Sequence, residues 1–345
     1  MTIPLFQVDA FSHELYKGNP AAVCILPEPA TDLWMSNVAA EMNLSETAFV
    51  VPDYSKQTTE QFCNHYWLKW FTPSIEVDLC GHATLAAAKV LYDEAYCDSR
   101  QALKFYTRGG ILTVQTQGEY IELTLPTNKF TIDKFCVDSI SSVNIKSDDF
   151  KTNEIKTDKI KKDKIKTNEI KTHHDNTHNF TSAKFNTDSF ITNNRGAAQQ
   201  VMLALGISLD NKQAEAEAVI VSSESDFLLV LNNEQEVLEI TPDYVALAAV
   251  NKRLIIISAK SGVQDPYDFV VRVFAPTCGI NEDPVTGSAY CLLGPYWSQR
   301  LHTSNLTARQ VSKRGGDLTM KVFEHSIVLR GQAIIVFKAE LYDNQ

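Results

Sequence analysis

Residues 78–91 read DLCGHATLAAAKVL, a Cys-Gly-His turn that leads directly into a run of alanine and leucine. Alanine and leucine are strong helix formers, so the segment predicts a helix that begins at Gly81. The first N–H groups of a helix have no partner within the helix and carry a positive partial charge. The stretch therefore indicates either an anion-binding helix start or an ordinary helix start with small residues for packing.

A second stretch of the chain repeats this pattern. VFAPTCGINEDPVTGSAYC (273–291) and WFTPSIEVDLCGHATL (70–85) both run from an aromatic-containing strand through a proline and an acidic residue to Gly-X-Ala. Gly81 and Gly287 are 206 residues apart, as are the arginines of YTRGGILTV (106–114) and SKRGGDLTM (312–320). Repetition at one spacing indicates two equivalent structural units. We therefore predict an α+β fold of two pseudo-symmetric, strand-rich lobes, each around a central helix, with a cleft between them.

The domain prediction places residues 1–126 and a C-terminal strand at about 333–345 in the first lobe, and residues 127–332 in the second. A low-complexity segment at about 131–194 interrupts the second lobe. It contains KTNEI, KTDKI, KKDKI and KTNEI in succession at 151–170. Isoleucine every five residues fits neither a helix nor a strand, and the low aliphatic content favours an inserted surface loop. The alternative is a basic docking arm.

Composition excludes several classes of protein. The 345 residues carry a formal net charge of −10, which argues against general nucleic-acid binding. No apolar run approaches the roughly 20 residues of a membrane span, and MTIPLFQVDAF lacks the pattern of a secretory signal. The seven cysteines are scattered without CxxC spacing, which favours free thiols in a reducing cytoplasm over disulfides or structural zinc.

The residue that moves a proton is the central question for any chemistry in the cleft. A racemase with two cysteines needs one thiol at each helix start, but the 206-residue spacing pairs Cys80 with Thr286, whose hydroxyl is too weak an acid or base. Glu46 in MNLSETAFVV (42–51) is a better candidate, because apolar neighbours desolvate a carboxyl group and raise its pKa towards neutral. The alternative for Glu46 is a surface carboxylate or one that bonds local backbone.

Other polar residues lie at the same motifs, and most of them allow more than one interpretation. His82 can donate a hydrogen bond, act as a second base or be structural. Asp283 can cap its turn or orient a substrate amine, and Ser288 can cap its helix or bind a carboxylate. Asn19 in KGNPAAV can be a turn former only.

At these motifs the sequence resembles the phenazine-biosynthesis PhzF-like proteins. The resemblance rests on seven motifs that cover most of the chain outside about 131–194: FQVDAF (6–11), KGNPAAVC (17–24), MNLSETAFV (42–50), WFTP with EVDLCGHATLAAAKVL (70–91), NEDPVTGSAYC (281–291), PYW (295–297) and SKRGGDL (312–318). It implies the diaminopimelate-epimerase-like fold, an active site between the lobes, a homodimer, and an isomerase without metal or organic cofactor. The lysine-rich insertion departs from the family pattern and leaves open whether dimer geometry and cleft access are normal.

The resemblance also implies residue roles. In the phenazine enzyme the substrate is trans-2,3-dihydro-3-hydroxyanthranilate and a glutamate of the SET motif shifts a proton between ring carbons; that role falls on Glu46. The positions expected to bind substrate are His82, Asp283, Ser288, Gly81, Gly287 and Asn19. We therefore expect a cofactor-independent isomerase of a small carboxylated, cyclic amino acid-like molecule. The alternatives are a racemase or epimerase that uses Cys80 and a non-catalytic binding protein of the same fold.

Overall fold

The computed structural model describes residues 2–56, 63–135, 195–207, 218–223 and 225–342. The pentapeptide repeats at 151–170, and with them the question of a loop or a docking arm, lie outside these residues. The segment expected as an insertion starts later than 131, because Thr131–Phe135 form a strand that pairs with Ala218–Ser222. The polar composition marked residue 131 as the start of the insertion, but strand pairing places the first residues of this segment in the sheet.

The helices and strands follow the apolar runs of the sequence. Six α-helices occur in the described ranges: α1 (Asp32–Met42), α2 (Gly81–Asp93), α3 (Arg195–Ala204), α4 (Glu234–Glu239), α5 (Tyr244–Ala248) and α6 (Tyr290–Leu301). The strands of the first half are β1 (Thr2–Ala10), β2 (Asn19–Ile25), β3 (Glu46–Pro52), β4 (His65–Phe71), β5 (Glu76–Val77), β6 (Leu103–Thr107), β7 (Gly110–Gln117) and β8 (Tyr120–Pro126). The remaining strands are β9 (Thr131–Phe135), β10 (Ala218–Ser222), β11 (Asp226–Val230), β12 (Leu254–Lys260), β13 (Phe269–Ala275), β14 (Ile280–Asp283), β15 (Asn305–Gln310), β16 (Gly316–Val322), β17 (Ser326–Gly331) and β18 (Ala333–Tyr342).

Strand pairing divides the sheet into two ladders of the same design. One runs β18-β1-β2-β3-β4-β6-β7-β8, and the other runs β9-β10-β11-β12-β13-β15-β16-β17. Each ladder has parallel pairs at the same two places, β2–β3 and β4–β6 in one and β11–β12 and β13–β15 in the other. Antiparallel pairing of β8 with β17 joins them. The predicted fold of two pseudo-symmetric, strand-rich lobes is confirmed.

Each lobe is built around one buried helix. Ten residues of α2 are buried, so the helix is apolar on nearly every side and packs against β1, β2, β3 and β8. α6 packs against β11, β15, β16 and β17 in the same way. A helix that is apolar all round belongs in a protein core, which explains the Ala/Leu composition of the stretch at 81–91. No helix in the described ranges is long and apolar enough to cross a membrane.

Two asparagines turn the chain from a helix into the strand that follows it. Asn43 caps the C-terminus of α1 in the left-handed conformation with φ 50°, and β3 begins three residues later. Asn251 adopts φ 55° after α5, and β12 begins three residues later. Asparagine tolerates this conformation better than most residues. The two turns place residues 44–46 and 252–254 at equivalent junctions of the lobes.

Candidate active site

The starts of the two central helices meet backbone to backbone. A Cβ atom built on Gly81 would lie 3.0 Å from the Cα of Gly287, and the reverse distance is also 3.0 Å. Only glycine allows this approach. Neither Cys80 nor Thr286 caps its helix through its side chain. The second helix differs from the expected one, because a 3-10 turn at Gly287–Ala289 precedes α6.

Glu46 is the first residue of β3 and points towards the start of α2. Its side chain is 12 % exposed, and its Oε2 lies 3.2 Å from Nε2 of His82. This contact does not have the geometry of a hydrogen bond. Oε2 of Glu46 and Nε2 of His82 therefore have no hydrogen-bond partner among the described residues. Burial, with the negative charge of Asp283 nearby, raises the pKa of Glu46 well above its ordinary value. The carboxyl group of Glu46 therefore has the raised pKa that its apolar sequence neighbours predicted.

His82 is buried and neutral, because burial lowers its pKa to about 3. The amide nitrogen of Asn19 lies 3.2 Å from Nδ1 of His82 and cannot accept a hydrogen bond, so a hydrogen on Nδ1 would face this donor group unpaired. In a neutral ring the hydrogen then sits on Nε2, the atom that faces Glu46. His82 is thus arranged as a hydrogen-bond donor rather than as a second base.

Asn19 connects both lobes at this point. It is fully buried and donates to Oδ1 of Asp283 (2.7 Å) and to the carbonyl oxygen of Val285 (2.9 Å), while its own oxygen accepts from Ser45 (3.1 Å). A residue that only formed a turn would not need these partners. Asn19 therefore fixes the position of Asp283 relative to Glu46 and His82.

Asp283 ends β14 and is buried beside these groups. Burial raises its pKa to about 6, although hydrogen bonds from Thr286 and Asn19 act in the opposite direction. Gln310, also fully buried, bonds the backbone of both Asp283 (2.6 Å) and Thr286 (2.9 Å). The loop between β14 and α6 is therefore rigidly held, and the site contains two carboxyl groups with raised pKa values.

Cys80 lies in the same cluster but lacks the environment of a reactive thiol. Its Sγ is 3.5 Å from Nδ1 of His82, and burial together with the charge of Glu46 raises its pKa well above the ordinary value. Its counterpart Thr286 donates its hydroxyl hydrogen to Asp283. Neither residue is poised for two-base racemisation, which needs a thiolate at one helix start.

Glu46, Cys80 and His82 offer ligand atoms within 4.8 Å of one another, a grouping that can hold a metal ion. A histidine binds a metal through a free nitrogen lone pair. Here Nδ1 of His82 faces an amide donor of Asn19, and Nε2 carries the hydrogen. The arrangement fits proton transfer better than metal coordination, and the expectation of no metal stays a prediction.

The second lobe supplies residues that the sequence reasoning missed. Arg253 donates to Oγ of Ser288 (3.0 Å), the residue next to Gly287, and forms two hydrogen bonds to Asp226 (2.9 and 2.6 Å). Asp226 is fully buried at the start of β11 and also accepts from Asn128 (3.3 Å). The 206-residue spacing pairs Glu46 with Lys252. That repeat was the signal that could have drawn attention to the neighbouring Arg253.

The structure brings the expected site residues together at one place. Glu46, His82, Asn19 and Asp283 form a connected cluster. Ser288 lies across the Gly81–Gly287 contact and bonds Arg253 instead. The site thus combines Glu46 and His82 from the first lobe with Asp283 and the guanidinium group of Arg253 from the second.

Comparisons with known proteins give one consistent result. The profile of the phenazine biosynthesis-like protein family (PhzC-PhzF) matches residues 8–339. The chain is 36 % identical over 341 residues to an uncharacterized isomerase of Halalkalibacterium halodurans, with 99 % of each chain covered. It is 34 % identical to a PhzF-family crystal structure from Enterococcus faecalis, with a TM-score of 0.67 and coverage of 99 % and 100 %. A hydroxyproline epimerase from Agrobacterium vitis, with bound trans-4-hydroxy-L-proline, shares the fold at 9 % identity and a TM-score of 0.52, covering 99 % and 92 %.

Proposed function

The chain belongs to the PhzC-PhzF family of phenazine biosynthesis-like proteins and is an isomerase, and we propose that it moves a proton on a small, carboxylated, cyclic amino acid-like substrate. The relative from Halalkalibacterium halodurans and two relatives from Pseudomonas aeruginosa are named as isomerases, which supports the reaction class. The substrate class and the proton transfer both belong to the proposal.

The observation that carries the proposal is the environment of Glu46. Its carboxyl group is buried, lies 3.2 Å from the hydrogen-bearing nitrogen of His82, and has a pKa raised by burial. A general base works best when its pKa lies near the working pH, and burial moves a carboxyl group in that direction. Glu46 is therefore the group proposed to take and return the proton.

In the proposed reaction, ionised Glu46 removes a proton from a substrate carbon. The electrons of the broken C–H bond enter the π system of the substrate, and the protonated carboxyl group then delivers the same proton to another carbon. Nε2–H of His82 donates a hydrogen bond to a substrate oxygen, and Asp283 orients a substrate amine or hydroxyl group. No external acid, base or redox partner is needed for this balance.

Substrate entry requires movement of the lobes. The side chains of Glu46 and His82 are only 12 % and 3 % exposed, and the two helix starts are in contact. We include in the proposal an opening between the lobes that admits the substrate and a closure that excludes water. Exclusion of water strengthens each polar interaction within the site.

The sequence also allowed two alternative functions, a racemase and a binding protein. A racemase based on Cys80 is disfavoured by the raised pKa of that thiol. A binding protein that uses a basic arm depends on residues outside the described ranges. The homodimer and the cytoplasmic location stay predictions.

The test is deuterium exchange from heavy water into a panel of cyclic amino and hydroxy acids. Glu46→Gln preserves size and removes the base, so we expect exchange to fall about 100- to 10,000-fold while ligand binding persists. Glu41→Gln, an exposed glutamate of the preceding helix, is the matched control and should exchange at the wild-type rate. Undiminished exchange in the Glu46 variant would reject the assignment, and loss of exchange only in Cys80→Ala would establish the racemase instead.

A further inference from the structure

We propose that Arg253 is the specificity-determining residue of the site: together with the hydroxyl group of Ser288 it binds a single substrate carboxylate at the end opposite Glu46. The inference rests on the proposed function and names the residue that selects the charge of the substrate. It assigns a role to a residue that the sequence motifs did not single out.

The first support is the reach of the side chain. Arg253 directly precedes β12, yet its guanidinium contacts Ser288 beside the meeting point of the two helix starts. Ser288 is 5 % exposed, so this contact lies inside the protein. An arginine with only a structural role in the second lobe would not need to touch the helix start.

The second support is the way in which the guanidinium is held. Nε and one terminal nitrogen of Arg253 bind the two oxygens of Asp226, and the other terminal nitrogen binds Ser288. A guanidinium has five N–H groups, and these contacts use three. Two N–H groups of Arg253, one on each terminal nitrogen, therefore have no hydrogen-bond partner among the described residues. The side chain is 34 % exposed, so part of it is open to solvent.

The third support places Arg253 and Glu46 in one region. Burial raises the pKa of Cys278, a hydrogen bond from Thr277 and the charge of Arg253 lower it, and the charge of Glu46 raises it. Short contacts also link the two groups: Arg253 bonds Ser288, the neighbouring Gly287 contacts Gly81, and His82 lies 3.2 Å from Glu46. A substrate held through its carboxylate at Arg253 and Ser288 would present its ring to Glu46.

Charge balance selects a carboxylate over a phosphate. The positive charge of Arg253 is already matched by buried Asp226, and Glu46 and Asp283 add acidic groups to the site. A dianion would bring two uncompensated negative charges into a low-dielectric region, whereas a monoanion brings one. A monoanionic carboxylate fits the two remaining donors, since arginine binds carboxylates through paired N–H groups.

The experiment compares acids with their amides by isothermal titration calorimetry. The probes are anthranilate with anthranilamide and L-proline with L-prolinamide, which differ mainly in the carboxylate. We expect the wild-type protein to prefer the acid at least tenfold in one pair, the scale of one hydrogen bond to a charged group. Arg253→Lys keeps a charge for Asp226 but loses the forked geometry, and the preference should fall below about threefold.

A second, double variant tests the role of Arg253 without the misfolding that an unpaired buried charge can cause. Asp226→Asn combined with Arg253→Gln removes both charges, so that no buried charge is left unpaired, and it should also lose the preference. Arg272→Lys is the control, because Arg272 forms a similar two-bond pair with Glu282 (2.7 and 3.0 Å) away from the helix starts. This control should retain the wild-type preference.

The outcomes separate the two proposals. A wild-type protein without acid preference in either pair, or a folded double variant that keeps it, overturns the role of Arg253. Glu46→Gln should retain the preference, because that variant leaves Arg253 and Ser288 intact. Exchange that survives in Glu46→Gln sinks the proposed function, whereas binding preference is measured without turnover and reports on Arg253 alone.

Discussion

Each lobe contributes site residues from the same three structural positions: the start of a strand, the junction before the next strand, and the residue after the helix glycine. The chemical groups at these positions differ between the lobes. In the first lobe, buried Asn19 at the start of β2 bonds Ser45 before β3 and His82 after the helix glycine. In the second lobe, buried Asp226 at the start of β11 bonds Arg253 before β12, and Arg253 bonds Ser288 after the helix glycine. Counted from the left-handed asparagines, Ser45 and Arg253 are equivalent.

Glu46 has no acidic equivalent in the second lobe. The matching position after Arg253 is Leu254, which is buried and apolar. The duplicated backbone therefore provides two similar frames, and only one of them carries the carboxyl group proposed for proton transfer. Because the two frames differ in charge, the site has a direction, and a substrate with one carboxylate would bind in one orientation.

The largest effect on stability is expected from removing the buried charge of the second lobe. Asp226→Ala leaves Arg253 without its partner, and breaking a buried ion pair costs about 3–5 kcal/mol. We expect a loss of about 3 kcal/mol in urea denaturation, because Arg253 is a third exposed and regains some hydration. Glu282→Ala removes a carboxylate that is more exposed than Asp226 from the pair with Arg272, and it should cost less. Equal costs would show that burial of Asp226 does not matter.

The buried carboxyl group of Asp283, at the end of β14 in the second lobe, should respond to pH in the opposite sense to a carboxyl group held in an ion pair. The pKa of Asp283 is raised from 3.8 to about 6, so its contribution to the free energy of unfolding is fully present below pH 4 and is lost as the pH rises through 6. The loss amounts to at most about 3 kcal/mol. Glu46 acts in the same direction. Asp283→Asn should therefore be more stable than wild type at pH 8, with the advantage vanishing at pH 4.

Asp98→Asn is the control for this pH dependence. Hydrogen bonds from Arg100 lower the pKa of Asp98 to about 2, so its contribution is present above the ordinary pKa and is lost as the pH falls through 2. This variant should be less stable than wild type at pH 8, the reverse of Asp283→Asn. If both variants change stability with the same sign, burial is not what raises the pKa of Asp283.

The smallest effect tests the symmetry itself. Gly81→Ala and Gly287→Ala each bring a methyl group to 3.0 Å from the opposite Cα, so the facing backbone has to shift by a few tenths of an ångström. Overpacking of this kind costs about 1–3 kcal/mol. We expect similar costs for both, and a double variant below their sum, because one contact is disturbed twice. In Gly294→Ala the nearest atoms, at 3.3–3.4 Å, belong to side chains, so that variant should be close to neutral in thermal denaturation.

The helix that begins at Gly81 follows from local composition, because helix propensity is a short-range signal. The helix at Asp32–Met42 and the strand at Ala218–Ser222 have the bounds that their apolar spacing indicates. Strands β15 and β16 carry no prediction from the sequence, although Asn305–Gln310 and Gly316–Val322 alternate between buried and more exposed residues. Their buried faces pack against α6, a contact between elements that the spacing within one strand does not record.

The sequence by itself determined that the chain is duplicated and that each copy has a buried helix that begins at a glycine. It also determined that the first copy has a glutamate at the start of an apolar strand. These features follow from spacing and composition, which are properties of the chain. Only the tertiary structure decided that the glycines touch, that Asn19 orients His82 as a donor, and that Arg253 reaches Ser288. Those contacts join residues from 35 to 206 positions apart along the chain, and no periodicity records which distant side chains meet.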